Sequence, residues 1–391
     1  MGTIMKGRTA ALVYSTVAMV VSFAAWAILS PMASTLQELY RLSVTEKSLL
    51  VATPVLLGSV MRIPMGMLTD RLGGKKVYTL TMLFLIFPLL GASFAGSFET
   101  LLFFAFFLGM AGTTFAIAIA YVSRWFPLEK QGLVLGITGM GNFGTAVAGF
   151  TVPLLIEAYG VSGTFRIFGV AIAIMALLFW LGTREFPSSP SSGSIPSVLG
   201  VFRYKETWLL STYYFLTFGS FMAFGIYLPT LLQDLFHLTA VDAGWRAAGF
   251  VVVATLARPL GGYLADRLGA ERMLTVVFAG VLLGALILTG LSEEIRSFSF
   301  ACLSIALLVG MGNGAVFKLV PVVARGRTGA VTGVVGAAGG IGGFFPPIVL
   351  GMVRDATGSY ALGFGLLAVF VLDCILLHKW YFGQRKREIM A

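Results

Sequence analysis

The chain has 391 residues, 58% of them hydrophobic and 11% charged, with a mean hydropathy of +0.92. A soluble domain carries about 25% charged residues, so a soluble enzyme is excluded. The net charge of +10 is spread along the chain instead of forming one patch, which excludes a nucleic-acid partner and points to membrane topology.

Twelve apolar runs follow in chain order, at residues 9–31, 48–69, 77–96, 99–123, 130–156, 163–182, 207–233, 241–264, 273–292, 297–322, 328–352 and 361–383. Each approaches the ~20 residues that cross a bilayer. Hydrocarbon offers no water to backbone groups, so the spans are expected to be helical, and the short alternating strands of a β-barrel are not seen. The first run is longer than a signal-peptide core and lacks a small-x-small cleavage site, so it reads as a retained helix. After the sixth run comes TREFPSSPSSGSIPSVLGVFRYKE, rich in Ser, Pro and Gly. It predicts a cytoplasmic linker over 184–206, between an N-terminal bundle at 1–183 and a C-terminal bundle at 207–391. The expected fold is an all-α polytopic membrane protein with twelve transmembrane helices in two six-helix bundles.

With that topology most basic residues fall on one side, among them Lys6, Arg8, Arg71, Lys75, Lys76, Arg124, Lys130, Arg184, Arg203, Lys205, Arg267, Arg272 and Lys379. Arg41, Lys47, Arg166, Arg246, Arg296 and Arg354 fall on the other. The positive-inside rule makes the richer side cytoplasmic. Both termini are therefore expected in the cytoplasm, with the protein a monomer in the plasma (inner) membrane bilayer. Cys302 and Cys374 lie inside apolar runs and give neither a disulfide framework nor a metal-ligand spacing. No metal and no cofactor is expected.

The second run continues as VMRIPMGMLTDRLGGKK, residues 60–76, and places Arg62 about 12 Å inside Asp70 along a helix. An arginine at that depth costs about 2.5–3.5 kcal/mol on insertion scales. The eighth run repeats the pattern. Gly66, Asp70, Arg71 and Gly73 recur 196 residues later as Gly262, Asp266, Arg267 and Gly269, and Arg62 recurs as Arg258. Glycines suit a tight corner between helices, and Asp and Arg there can pair or cap helix ends. Gly66, Asp70, Arg71, Gly262, Asp266 and Arg267 are therefore expected to serve gating and structure.

Acidic residues lie in loops or at helix ends, except Asp373 in the last span. Arg62 and Arg258 are thus expected to bind a small anion, for which the rigid guanidinium fork suits planar oxyanions. The fifth run contains Gly139-Met-Gly-Asn142-Phe-Gly144 and the eleventh Gly336-Ala-Ala-Gly-Gly340-Ile-Gly-Gly. Their small residues let helices pack closely and let backbone approach a ligand.

The repeated corner resembles the signature between helices 2 and 3, and 8 and 9, of the major facilitator superfamily. That resemblance covers the whole chain and implies alternating access by two bundles. GMGNFGTAVAG and GAAGGIGGFFPP resemble the two signature segments of its nitrate/nitrite porter family. The family implies Arg62, Arg258 and Asn142 as substrate ligands, with the anion held between aromatic rings, for which Tyr214, Phe218 and Phe115 are candidates. Where that family commonly has polar residues after the helix 4 glycines, this chain reads TTFAIAIAY.

Nitrate and nitrite are the expected substrates, as nitrate/nitrite exchange or nitrate/proton symport. His237 and His378 read as surface or interfacial, whereas Lys318, in GMGNGAVFKLVP, is a candidate coupling residue that snorkels or titrates. The alternatives are an exchanger of formate, oxalate or cyanate, and a non-transporting anion sensor. No nucleophile and base set is present, so no enzyme is expected.

Overall fold

A computed structural model describes residues 2–42, 44–186, 200–324 and 327–390. Among them every regular element is a helix. In chain order these are α1 (Gly2–Trp26), α2 (Leu29–Tyr40), α3 (Val44–Val60), α4 (Arg62–Leu72), α5 (Gly74–Ser93), α6 (Phe98–Leu108), α7 (Thr114–Ser123), α8 (Gln131–Gly139), α9 (Gly144–Gly182), α10 (Lys205–Phe236), α11 (Ala240–Leu268), α12 (Ala270–Leu291), α13 (Ile295–Ala324), α14 (Thr328–Thr357) and α15 (Ala361–Met390). Short 3₁₀ segments at Gly109–Thr113 and Met140–Phe143 join α6 to α7 and α8 to α9.

Ten helical stretches are long and apolar enough to cross a membrane, or eleven when the bent pair α3 and α4 counts as one span. One of the ten, Leu128–Gly182, runs for 55 residues through Gly160, whose φ of 69° and ψ of 177° are not helical. Glycine adopts that positive φ without a Cβ clash, so α9 breaks there into two spans. The break brings the spans among the described residues to the expected twelve. Most of the predicted linker, residues 187–199, lies outside the described residues.

Polarity is arranged for lipid. Leu80, Leu154, Leu181, Phe300 and Met352 are exposed, while Arg62, Asp70, Asn142, Arg258 and Asn313 are buried. Outward apolar side chains are at ease in hydrocarbon, but an inward polar group needs a partner or a ligand.

By internal contacts the chain forms two compact units. The first comprises Met1–Pro127, Ile137–Thr207 and Val320–Ala337. There α1 and α5 both pack along α9. Small residues set the spacing, since a β-carbon on Gly58 would lie 2.7 Å from Gly109 O, and one on Gly144 would lie 2.8 Å from Ala24 N. The second unit comprises Leu128–Gly136, Trp208–Leu319 and Ala338–Ala391. Here α12 packs along both α15 and α11, and a β-carbon on Gly310 or Gly261 would strike the backbone of Ala254 or Met311.

Each unit contains one copy of the repeated corner. Gly73 and Gly269, with φ of 93° and 89°, end α4 and α11 and turn the chain into α5 and α12. In the first unit, Asp70 accepts from Gly329 N at 3.0 Å and Ala330 N at 2.9 Å, at the start of α14, and pairs with Arg124 at 3.1 Å. In the second, Asp266 accepts from Gly132 N at 3.0 Å and Leu133 N at 2.8 Å, at the start of α8, and pairs with Lys318 at 2.6 Å. A carboxylate on the first N–H groups of a helix satisfies orphan donors and meets the positive end of its dipole. Gly66 and Gly262 permit this docking, because β-carbons there would collide with the backbones of Gly329 and Gly132.

Candidate functional site

In the first unit, Arg62 begins α4 just after the bend from α3. Its side chain is buried. Nε donates to Gly112 O at 3.0 Å, and Nη1 donates to Gly336 O at 2.7 Å. Gly112 belongs to the 3₁₀ segment Gly109–Thr113, where tighter winding departs from the α-helical ladder and turns a carbonyl toward the arginine. Gly336 packs closely here, since its β-carbon would lie 3.2 Å from Arg62 Cδ, a tight contact, and 3.7 Å from the Phe115 ring, an ordinary one. Phe115 presents its ring to the guanidinium, with Cζ 5.5 Å from the centroid. Carbonyls and a ring face fix the direction of the guanidinium without cancelling its charge.

Asn142 lies in the same unit, in the 3₁₀ segment Met140–Phe143. It is 1% exposed, and neither Nδ2 nor Oδ1 has a hydrogen-bond partner. Native structures rarely leave both ends of a buried amide unmet, so such a group is a candidate for a ligand.

The second unit holds Arg258 on α11, buried beside aromatic side chains of α10. Nη2 donates to Tyr214 Oη at 3.3 Å, and Cζ lies 6.0 Å from the Phe218 centroid. Tyr214 and Phe218, four residues apart on α10, stack with centroids 4.9 Å apart and planes 10° from parallel. Phe317 on α13 meets Tyr214 edge-on at 4.8 Å and 89°. Gly339 gives these rings room, because its β-carbon would lie 2.7 Å from Tyr214 Cε1 and 3.1 Å from Phe218 Cδ1. Gly136 and Gly314 likewise bring backbone against Arg258 O.

Of the remaining predicted residues, Asp70 and Asp266 sit at the two corners, while Arg71 and Arg267 are exposed, the latter over the Tyr263 ring at 5.0 Å. Gly139 closes α8, Gly144 packs on α1 at Val20 and Ala24, and Gly340 lies within α14. Lys318 does not stand alone. Its ammonium pairs with Asp266 and donates to Leu128 O, so it belongs to the corner.

His378 departs from expectation. It is buried, with Nδ1 2.9 Å from Tyr213 Oη and Nε2 3.0 Å from Glu271 O and 3.1 Å from Thr275 Oγ1. Since Glu271 O only accepts, Nε2 carries a proton, and in the neutral ring Nδ1 accepts from the Tyr213 hydroxyl. Sequence reasoning also passed over Gly112, Phe317, Gly339, Asn313 and Arg124. For Gly112 and Asn313 a signal existed, since GMAGTTF and GMGNGAVF both open on Gly-Met and end on Phe.

The geometry can be set beside known proteins. A family model described as Major Facilitator Superfamily matches residues 16–347. The chain is 40% identical over 373 residues to a protein of Bacillus subtilis named nitrite extrusion protein, covering 95% of this chain and 94% of that one. It is 39% identical over 370 residues to a Staphylococcus epidermidis protein named probable nitrate transporter NarT, covering 94% of each. Among solved structures it resembles the human organic anion transporter TETRAN, with a TM-score of 0.79 at 14% identity over 95% of this chain and 99% of that one. It also resembles the fucose:proton symporter FucP of E. coli, with a TM-score of 0.74 at 16% identity over the same shares. At those identities the structural likeness speaks for the fold. The chain belongs to the Major Facilitator Superfamily and, within it, to the nitrate/nitrite porter family.

Proposed function

We propose that the protein carries nitrate and nitrite across the cytoplasmic membrane by alternating access, with Arg62 and Arg258 as the charged ligands and Asn142 as a neutral one. One observation carries the reading. Each arginine is buried in a membrane-spanning helix and is oriented by neutral groups, Gly112 O and Gly336 O for Arg62 and Tyr214 Oη for Arg258. Beside each guanidinium stands an aromatic face, Phe115 or Phe218. A charge held this way in low dielectric attracts an anion strongly, and flat rings beside it favour a planar one. The names of the Bacillus and Staphylococcus relatives support nitrate and nitrite over other planar anions.

Exchange is the favoured mode. The buried guanidiniums carry positive charge, and a bound anion reduces the cost of moving that charge through the membrane. Lys318, the candidate for proton coupling, has its ammonium engaged by Asp266 and Leu128 O, which supports anion exchange over a proton route through that residue. The test is uptake into proteoliposomes from a panel of nitrate, nitrite, formate, oxalate and cyanate. Saturable entry of nitrate and nitrite ahead of the others is expected. Preference for formate, oxalate or cyanate would overturn the substrate assignment, and binding without flux would make the protein a sensor.

A further inference from the structure

The second unit contains a buried amide that none of these roles uses. Asn313, on α13, is 1% exposed, and its Oδ1 has no hydrogen-bond partner. Such a group in a membrane-spanning helix is costly unless something arrives to meet it.

Its position follows from its neighbours. Phe317 on α13 meets Tyr214 on α10, and a β-carbon on Gly312 would lie 2.7 Å from Thr217 Cγ2. Residue numbers fall along α13 as they rise along α10, so the two helices run antiparallel. Asn313, one turn before Phe317, is therefore level with Thr217 and Phe218, one turn after Tyr214. Phe218 is the ring beside the Arg258 guanidinium. From the other side, Gly314 abuts Arg258 O, and its β-carbon would lie 2.7 Å from Gly262 N.

A local likeness between the fourth and tenth runs, at a displacement of 201 residues instead of the 196 of the corner, leads to the same place. Aligning GMAGTTF on GMGNGAVF by their Gly-Met pairs, Gly109-Met110 and Gly310-Met311, sets Asn313 where Gly112 stands. In the first unit Gly112 O accepts from the arginine's Nε at 3.0 Å. The second unit has a side-chain amide at that position. It also lacks a counterpart of Asn142 on its own glycine-rich helix, where the residue 196 positions on is Ala338.

We propose that Asn313 is an anion-binding residue of the Arg258 subsite, its amide N–H donating to an oxygen of the anion that Arg258 holds. An amide presents an acceptor on one side and donors on the other, and a half-turn of the side chain exchanges them. Oδ1 can thus face the guanidinium while Nδ2–H faces the oxyanion. This places the C-terminal half's amide on α13, whereas the N-terminal half's amide, Asn142, follows α8. The inference rests on the proposed anion-transport function and adds a ligand to it.

The experiment is equilibrium binding to the purified full-length protein, with nitrate, nitrite, formate, oxalate and cyanate as probes, for wild type, Asn313→Ala, Asn313→Ser and Asn313→Asp. Melting temperature without anion is measured alongside. Losing one charge-assisted hydrogen bond should weaken nitrate binding between about tenfold and about a hundredfold in Asn313→Ala. The anion-free melting temperature should stay unchanged or rise, because an unmet carbonyl oxygen is removed. Asn313→Ser, with a shorter donor, should fall between, and Asn313→Asp should lose binding because its carboxylate competes for Arg258. Should Asn313→Ala fail to fold, the serine and aspartate variants still decide. Wild-type affinity in the alanine or aspartate variant, or a lower melting temperature with affinity intact, would overturn the inference and leave the transport reading standing. If wild type bound a different anion of the panel, the same comparison would be made with that anion. If it bound none, the transport reading would fall and this inference with it.

Discussion

Replacing Arg62 by lysine keeps the charge and removes the fork. Nε and Nη1 donate to two carbonyls, Gly112 O at 3.0 Å and Gly336 O at 2.7 Å, which aims the rest of the guanidinium. A lysine has one nitrogen, so meeting one carbonyl draws it from the other and from the anion. A buried carbonyl left unmet costs about 1–3 kcal/mol, which appears as lost stability. On the binding side, one of two parallel charge-assisted bonds to the anion disappears, worth about 1.5–3 kcal/mol, while Coulomb attraction remains. The expected result is a nitrate KM raised between about tenfold and about a hundredfold, with the protein still inserted. Initial rates of nitrate uptake into proteoliposomes, set beside the melting temperature, give both quantities. A KM within about threefold of wild type at equal insertion would refute the idea that the fork, and not charge alone, holds the anion.

Asn142→Ala should weaken nitrate affinity by about 1.5–3 kcal/mol while leaving stability unchanged or improved, because neither amide atom has a protein partner to lose; a calorimetric titration with a parallel melt reads both. Gly339→Ala should displace the Tyr214 and Phe218 rings and raise KM, whereas Gly244→Ala, whose β-carbon meets nothing within 4 Å, should behave as wild type in the same uptake assay. Lys318→Ala should slow exchange with nitrate KM within about threefold, because it strips Asp266 of its cation at the corner without touching the arginines. Adding Asp266→Asn should restore part of the rate, and the absence of any rescue in the double variant would argue against the pair.

Much of the fold was legible because the membrane makes polar residues conspicuous. Arg62 and Arg258 stand out in apolar runs, and a corner repeated 196 residues apart reveals two related halves. Contacts between helices were harder to read. Lys318 was visible as a charge, but its partner Asp266 lies on another helix, and no local period links them. His378 looked interfacial from its distance to the end of the last run, yet it is buried against Tyr213 and Glu271. In a helix apolar all round, hydrophobic periodicity does not say which face meets lipid and which meets a neighbour. The break at Gly160, by contrast, falls in the gap between the fifth and sixth apolar runs, where the end of one run and the start of the next already separate two spans. Asn313 was readable only by comparing the fourth and tenth runs with each other.

Counterflow tests the central claim most directly. Purified protein in vesicles loaded with nitrite, and in empty vesicles, is given external nitrate with and without an inward proton gradient. The account predicts that internal nitrite accelerates nitrate entry, that the gradient adds little, and that Arg62→Lys reduces the nitrite-stimulated entry. Entry into nitrite-free vesicles that rises strongly with the proton gradient, with no stimulation by internal nitrite, would contradict exchange and require a proton-coupled carrier.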